Sequence, residues 1–412
     1  MRDERSAANQ SLEVQQGVTL LPFDDETLVY CEDNRRLVRL NRTSAFVFQE
    51  IRRGTPRDDL PAMLVSAALA VPENAQQWAE TAIEVLRTQE LLQKSCRGKS
   101  ELNGVPPANR LRALRVEKMP PYTAIGDAIE RYYQLLNTVA LIRFEHPAQL
   151  RLVDSVLGHL ARIDDAPPTV VIEIQGFLTS NGQHLRSRVY RDGAAINSIP
   201  RLSQLAPFVK AALWQSAVNA YDFQFYLHAG VVGKGDSCVL FPASAGSGKS
   251  SLTTALIHSG YHYFSDEVAL VSRGSYLVPP APLAICSKST GWDVMRRYYP
   301  NLMSLPVHKR DDDKLVRYIS PPADSRARQP TAVSHIIFPR YAAGSTSTLR
   351  KIGRADALEM LMAECIAARE DFSLADAQDL LRWVAQIDCY RLTFSSLDDA
   401  VNLVREVVPP PR

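Results

Sequence analysis

The sequence has few of the features that mark disulfide-stabilised, zinc-binding or membrane-spanning proteins. Its cysteines lie far apart in the chain, without the close pairs of a zinc knuckle or a disulfide framework, at Cys31, Cys96, Cys238, Cys286, Cys365 and Cys389. We therefore expect buried thiols. There is no run of about eighteen apolar residues, and no apolar segment follows the charged N-terminal stretch MRDERSAANQ. These absences predict a cytoplasmic protein with no membrane partner.

The sequence also lacks an excess of either positive or negative charge. The 47 basic and 45 acidic side chains give a formal net charge of +2, so no global field attracts the protein to nucleic acid or to anionic lipid. What the sequence does have is 46% hydrophobic and 22% charged residues, which is the composition of a folded globular protein. Its 412 residues predict two or three domains that recognise their partners locally.

Residues 18–94 form the first predicted domain. Short apolar runs at Leu28–Tyr30 and Leu37–Leu40 are separated by a polar stretch, which indicates a small hairpin. Three helical patterns follow, and Asn41 or Thr43 is the candidate cap of the first. Strands followed by three short helices predict an α+β module of winged-helix type.

The rest of the chain divides into three predicted segments. Residues 95–110 are rich in glycine, proline and polar side chains, and they are the expected linker. Residues 111–222 predict helices around a β-rich centre, an α+β scaffold whose last helix, at 205–213, has an apolar stripe typical of core packing. Residues 223–412 alternate strand and helix patterns, as an α/β catalytic domain does.

A glycine-rich segment between an apolar strand and a helical pattern is the strongest motif. It reads Ala243-Ser244-Ala245-Gly246-Ser247-Gly248-Lys249-Ser250, a P-loop or Walker A pattern with alanine in place of its first glycine. Glycines let backbone N–H groups converge on phosphates, the lysine reaches the β- and γ-phosphates, and the serine hydroxyl binds Mg²⁺. The alternative is a glycine-rich turn before an ordinary helix. The predicted nucleotide-binding residues are Ala245, Gly246, Ser247, Gly248, Lys249, Ser250 and Ser251.

Two adjacent carboxylates, Asp266 and Glu267, follow the next predicted strand. Phosphoryl transfer needs a further metal ligand and a group that orients or deprotonates the acceptor, and carboxylates provide both. Neighbouring residues on a regular strand point to opposite faces, so both reach one site only if the strand ends there. The predicted metal ligands are Ser250, Asp266 and Glu267; the alternative is a solvated acidic strand end.

Three motifs in order resemble the HPr kinase/phosphorylase superfamily, in its HPr-kinase-related branch. They are His228-Ala229-Gly230, Gly246-Ser247-Gly248-Lys249-Ser250 and Phe264-Ser265-Asp266-Glu267. The resemblance spans roughly residues 223 to 340. It implies an α/β P-loop kinase core similar to phosphoenolpyruvate carboxykinase, with ATP and Mg²⁺ as cofactors and a protein serine as acceptor.

The same resemblance assigns the catalytic residues. It makes Asp266 the acid/base, Glu267 the second acidic position and His228 the histidine beside them. In the kinase hypothesis that follows, Lys249 and Mg²⁺ neutralise the developing charge. HPr kinases proper have glutamate and aspartate at the positions of Ser251 and Glu267, and their C-terminal signature is absent here. Reverse phosphorylase activity and a hexamer therefore do not follow, and homo-oligomerisation is left open.

A run of charged residues at 308–317 is a further candidate for the site. It predicts a mobile loop whose Lys314 and Arg317 meet phosphate or peptide, with solvated surface as the alternative.

The first domain resembles PqqD-like peptide-recognition modules, the recognition elements for ribosomally synthesised, modified peptides. Leu37-Val38-Arg39-Leu40-Asn41 matches their strand-to-helix junction. In that family the leader of a precursor peptide adds as a strand to the sheet edge. A DNA-binding winged helix is disfavoured by the acidic third helix, with Glu73, Glu80 and Glu84. A purely structural appendage is left open.

The sequence thus predicts an ATP-dependent kinase of a Ser/Thr hydroxyl in a precursor peptide whose leader is bound by the first domain. Two alternatives stay open at this point. One is a kinase of a small molecule or an unrelated protein, with the first domain as scaffold. The other is a binding module in which ATP changes peptide affinity without chemistry.

Overall fold

The computed structural model describes residues 12–93, 122–163, 166–178, 185–244, 246–364, 366–367 and 372–408. The protein is of mixed α/β class and divides into two compact units. Unit 1 comprises Met1–Val105, Gly353–Glu359 and Ala368–Gln386; unit 2 comprises Pro106–Ile352, Met360–Ala367 and Ile387–Arg412. The linker expected at 95–110 lies outside the described residues.

Unit 1 begins with an antiparallel sheet of order β1-β2-β3, followed by three helices. The elements are β1 (Val18–Phe23), β2 (Glu26–Cys31), β3 (Arg36–Leu40), α1 (Arg42–Arg53), α2 (Leu60–Ser66) and α3 (Ala75–Thr88). The predicted hairpin gains a strand, since Val18–Phe23 pairs with β2 along its length. Asn41 was one of the two predicted caps of α1. Its side chain caps the helix by accepting a hydrogen bond from the Ser44 N–H (2.7 Å).

Two later segments also belong to unit 1, although the sequence placed them in the domain at 223–412. They are the beginning of α8 (Arg354–Glu364) and α9 (Leu374–Val384), which packs against β1. The Arg39 guanidinium on β3 is within 3 Å of carboxylates of Glu26, Asp356 and Glu359. The buried Tyr30 hydroxyl donates to the Phe372 carbonyl at 2.8 Å. Contacts between residues distant in sequence therefore complete this unit.

Unit 2 contains a five-stranded sheet of order β4-β5-β6-β7-β8. Its strands are β4 (Ile129–Leu135), β5 (Thr138–Phe144), β6 (Val170–Leu178), β7 (Leu185–Arg191) and β8 (Ala194–Ile199). Helices α4 (Pro147–Leu157) and α5 (Leu205–Asn219) share a buried core with this sheet. These elements lie within the segment 111–222, for which a scaffold was predicted, and α5 contributes one side chain to the site described below.

A seven-stranded sheet in unit 2 has the order β12-β10-β11-β18-β21-β19, with β14 beside β18. Its strands are β10 (Ala229–Lys234), β11 (Ser237–Pro242), β12 (His262–Ser265), β14 (Leu277–Val278), β18 (Thr331–Tyr341), β19 (Thr348–Lys351) and β21 (Asp388–Phe394). Helices α6 (Lys249–Ile257), α7 (Trp292–Met295) and α10 (Leu397–Val407) complete this part, and α6 and α10 pack against the sheet.

Two three-stranded sheets flank these elements. One has the order β13-β9-β20, from β9 (Phe223–Leu227), β13 (Ala269–Ser272) and β20 (Ile366–Ala367); the other has the order β15-β17-β16, from β15 (Ile285–Lys288), β16 (His308–Lys309) and β17 (Leu315–Ile319). Among the described helices, none combines the length and apolar character needed to cross a membrane.

In the seven-stranded sheet, the strand directions place the carboxyl ends of several strands at the same edge. Strands β11, β18 and β21 are parallel, and β12 runs with them because both β11 and β12 are antiparallel to β10. Four carboxyl ends and the beginning of β10 therefore meet at the same edge, where α/β proteins place their ligand sites. The loop after β11, the carboxylates after β12 and His228 before β10 all lie there.

Candidate active site

The glycine-rich loop connects β11 to the N-terminus of α6. Gly246 and Gly248 have φ of +96° and +88°, a left-handed conformation that other residues adopt at a cost. A Cβ atom on Gly248 would lie 2.9 Å from Cζ of Phe394. Ala243 is not among the residues with positive φ, which explains why it can replace the usual glycine. Ala245 lies outside the described residues.

The Lys249 side chain, at the start of α6, is buried beneath this loop. Its Nζ atom is 2.8 Å from Nε2 of His228 and donates to the carbonyl oxygen of Ala243 at 3.2 Å. Both contacts hold the ammonium group at the loop. The helix N-terminus adds partial positive charge at the same place, so the loop favours a polyanion.

The His228 ring is held between Lys249 and the acidic strand end. Burial, together with the Lys249 charge, lowers the pKa of His228 to about 4. The ring is therefore neutral at pH 7, and Nε2 is free of a proton to accept from the ammonium group. The ring also forms a hydrogen bond to the backbone of Glu267. His228 thus links the glycine-rich loop to the acidic pair.

Asp266 follows β12 directly and has a side chain that is only 3% exposed. One carboxylate oxygen accepts from the Cys286 N–H at 3.3 Å, and the Ser250 hydroxyl donates to the same carboxylate group. Burial, reinforced by the neighbouring Glu267, raises the pKa of Asp266 to about 6. The Walker-type serine and the first predicted carboxylate are thus in contact.

Glu267 forms an ion pair with Lys210, a residue that the sequence interpretation missed. The Lys210 charge lowers the pKa of Glu267 to about 2, so this carboxylate is ionised. Lys210 projects from α5, is 7% exposed, and lies 5.3 Å from the centre of the Tyr318 ring. Core packing is therefore not the only role of α5, because Lys210 on this helix pairs with Glu267. The overlooked signal was a lysine within an otherwise apolar helical stripe.

The chain turns sharply between the strand and the acidic pair. The Ser265 hydroxyl accepts hydrogen bonds from the N–H groups of Glu267 (3.2 Å) and Val268 (3.1 Å). Strand β12 therefore ends before Asp266, and the opposite-face rule for strand neighbours no longer separates the two carboxylates. This turn meets the condition under which both were expected to reach one site.

The charged run at 308–317 is arranged differently from the expected mobile loop. It forms the hairpin of β16 and β17. The Arg317 side chain is buried, donates to the Leu305 carbonyl and stacks over the Trp292 ring at 4.7 Å, so it does not meet phosphate. Lys314 pairs with Asp312 at the exposed turn (2.8 Å). The prediction for Arg317 is wrong because its side chain serves packing.

Two further observations concern what the loop and the acidic pair could bind. The buried Ser247 hydroxyl in the loop has no hydrogen-bond partner among the described residues. The part of the chain that the structure covers contains no cluster of three or more His, Cys, Asp or Glu suited to a metal. Mg²⁺ does not need one, since it binds through one or two protein ligands, substrate phosphates and water.

Comparisons with known proteins do not identify the function of this site, so its interpretation depends on the geometry described above. No family model matches the chain, and no curated protein matches it significantly. The likeness to HPr kinases and PqqD-like modules therefore stays a prediction based on short motifs. Of the predicted site residues, Gly248, Lys249, Ser250, His228, Asp266 and Glu267 are gathered at one edge of the sheet. Ser251 follows on α6.

Proposed function

We propose that the protein is an ATP-dependent kinase that phosphorylates a serine or threonine hydroxyl of a ribosomally synthesised precursor peptide. The observation that carries this proposal is one chain of contacts at the sheet edge, from the loop through Lys249 and His228 to Glu267, with Ser250 against Asp266. A cationic loop beside buried carboxylates suits a triphosphate and an acceptor hydroxyl.

In this proposal the loop and Lys249 bind the phosphates of ATP. Ser250 and Asp266 would hold Mg²⁺, with Glu267 as the second acidic position, and the bound ion would supply charge neutralisation of the phosphates. Lys210 balances the charge of Glu267. His228, being neutral, directs the Lys249 ammonium group without adding charge of its own.

Asp266 is the group placed to receive the proton. The acceptor oxygen forms a bond to the γ-phosphorus, the bond from that phosphorus to the β–γ bridging oxygen breaks, and ADP leaves with the electron pair. The hydroxyl proton passes to the Asp266 carboxylate. This buried carboxylate at the end of β12 contacts Ser250 of the loop, which places it for this transfer.

We further propose the P-loop kinase fold of the HPr kinases for unit 2 and a PqqD-like recognition module for unit 1. Three antiparallel strands followed by three helices support the second assignment. Among the described residues, β1 and β3 are the outer strands of that sheet. A leader peptide binds such a strand in extended form through main-chain hydrogen bonds.

The test is phosphoryl transfer by the full-length protein. It is incubated with magnesium, ATP and short peptides encoded beside its gene, each with and without its leader half, and the products are weighed by mass spectrometry. One added phosphate on a leader-bearing peptide is the expected result. ATP uptake without product on any acceptor contradicts a kinase and favours a nucleotide-gated binding module.

A second candidate, a kinase that uses unit 1 only as scaffold, is favoured by one observation. Contacts of Tyr30 with Phe372 and of Arg39 with Asp356 make unit 1 depend on later parts of the chain, as a structural element does. The peptides without leaders decide between the candidates. Equal phosphorylation of a core peptide with and without its leader supports the scaffold role.

A further inference from the structure

An exposed aromatic residue stands at the phosphate loop and has no role in the chemistry described above. Tyr341 is the last residue of β18, and 51% of it is exposed. Its ring packs edge-on against Phe394, the last residue of β21, with 5.8 Å between ring centres and 67° between planes. The Phe394 ring is buried and Tyr341 covers it from the solvent side.

Both residues are held at the loop itself. The Tyr341 N–H donates to the Ser247 carbonyl at 3.0 Å. A Cβ atom on Gly248 would meet Phe394 at 2.9 Å and Cβ of Tyr341 at 3.3 Å. The two residues are also paired directly across β18 and β21, so they share one face of the sheet. The Tyr341 backbone and Cβ therefore lie directly beside the loop that would hold a ligand.

Strand order gives the loop two different sides. The acidic pair follows β12, which lies beyond β10 on one side of β11, whereas β18 and β21 lie on the other side. A nucleotide whose γ-phosphate faces Asp266 and Glu267 extends its other end away from them. That end carries the ribose and the base, and it is directed toward the ends of β18 and β21.

We propose that the exposed face of the Tyr341 ring stacks against the adenine base of the bound nucleotide. The inference rests on the proposed function, since it needs a nucleotide at the loop. Stacking of a base on an aromatic side chain contributes appreciably to affinity and needs no hydrogen-bonding motif in the sequence. Phe394 supports the stacking ring from behind through the edge contact.

The experiment compares two ligands by calorimetry on the full-length protein in magnesium buffer. ATP has a base, and inorganic tripolyphosphate has the phosphates alone. Tyr341→Ala is expected to weaken ATP binding about 10-fold or more and to leave tripolyphosphate affinity within about 2-fold of wild type. Tyr341→Phe, which keeps the ring, is expected to retain ATP affinity; Tyr341→Leu, which covers Phe394 without a π-face, is expected to lose it.

Trp78→Ala serves as the matched control, since Trp78 is a comparably exposed aromatic residue (44%) that belongs to unit 1. Unchanged ATP affinity in Tyr341→Ala overturns the stacking inference while wild-type ATP binding leaves the proposed function intact. An equal loss of ATP and tripolyphosphate binding in that variant also overturns it, because the ring then shapes the loop instead. Failure of the wild type to take up either ligand removes the proposed function together with this inference.

Discussion

The two flanks of the phosphate loop differ in chemistry. The charged flank, on the β12 side, brings together Lys210, His228, Asp266 and Glu267, with carboxylates and cations in direct contact. The aromatic flank, on the β18 side, consists of Tyr341 and Phe394. The charged flank suits a reacting phosphoryl group, and the aromatic flank suits a flat, weakly polar ring. The two flanks together would therefore set the orientation of the nucleotide that we propose.

The difference also shows how this protein handles buried charge. The Lys210 charge lowers the pKa of Glu267, whereas burial and the charge of Glu267 raise the pKa of Asp266. Removing charged groups from water is costly unless they are paired. Charge is therefore concentrated on the flank where we propose the chemistry, and the other flank is built from rings.

The largest effect is expected from Asp266→Asn on the charged flank. Asparagine keeps the shape but cannot accept the hydroxyl proton, and general-base contributions are about 10²–10⁴-fold, so turnover falls by that factor. Initial rates of phosphate incorporation measure it, with Asp293→Asn, a change at an exposed carboxylate of α7, as control. If Asp266→Asn retains turnover, a residue other than Asp266 is the general base.

A somewhat smaller effect is expected for Lys210→Met. The substitution leaves Glu267 without its cation, and breaking a buried pair typically costs about 3–5 kcal/mol. Because the Glu267 side chain is 37% exposed, solvent screening reduces our expectation to about 2 kcal/mol of unfolding free energy. Urea denaturation measures this change. Adding Glu267→Gln to Lys210→Met should recover most of it, and additive losses would show that the pair is not coupled.

On the aromatic flank, Gly248→Ala should weaken nucleotide binding by about 10-fold, since a left-handed non-glycine residue costs about 1–3 kcal/mol. The new methyl group also meets the Phe394 ring at 2.9 Å. Gly246→Ala is the matched control, because Gly246 has a positive φ with nothing within 4 Å of the added atom. Titration calorimetry with ATP compares the two. Equal losses would mean that the ring contact contributes nothing.

The smallest effect concerns a buried group away from both flanks. Burial lowers the pKa of His308 from 6.5 to about 4, partly opposed by the hydrogen bond that the ring donates to the backbone of Ser203. Between these values the unfolded chain binds the extra proton, so the stabilising contribution is complete above pH 6.5 and is lost as the pH falls. From pH 7 to pH 5.5, wild type should lose about 1 kcal/mol more unfolding free energy than His308→Gln. Identical losses in urea denaturation would contradict this.

The sequence predicted those parts of the site that lie close together along the chain. The loop, its lysine and the carboxylates after β12 are short consecutive motifs, and strand directions explain why they meet. Lys210 could not be placed in the same way, since it is 57 residues from Glu267 and only tertiary packing joins them. Arg317 was misjudged because a charged run does not reveal which of its side chains turn inward.

The discontinuous composition of unit 1 has a consequence for the order in which the protein folds during translation. Tyr30 and the Phe372 carbonyl that it contacts are 342 residues apart. The ribosome releases β1, β2 and β3 early, yet the segment containing Phe372 and α9 emerges only after the phosphate loop and both carboxylates have been synthesised. Unit 1 therefore reaches its final packing late in synthesis, and a nascent chain that stalls before residue 372 leaves it unfinished.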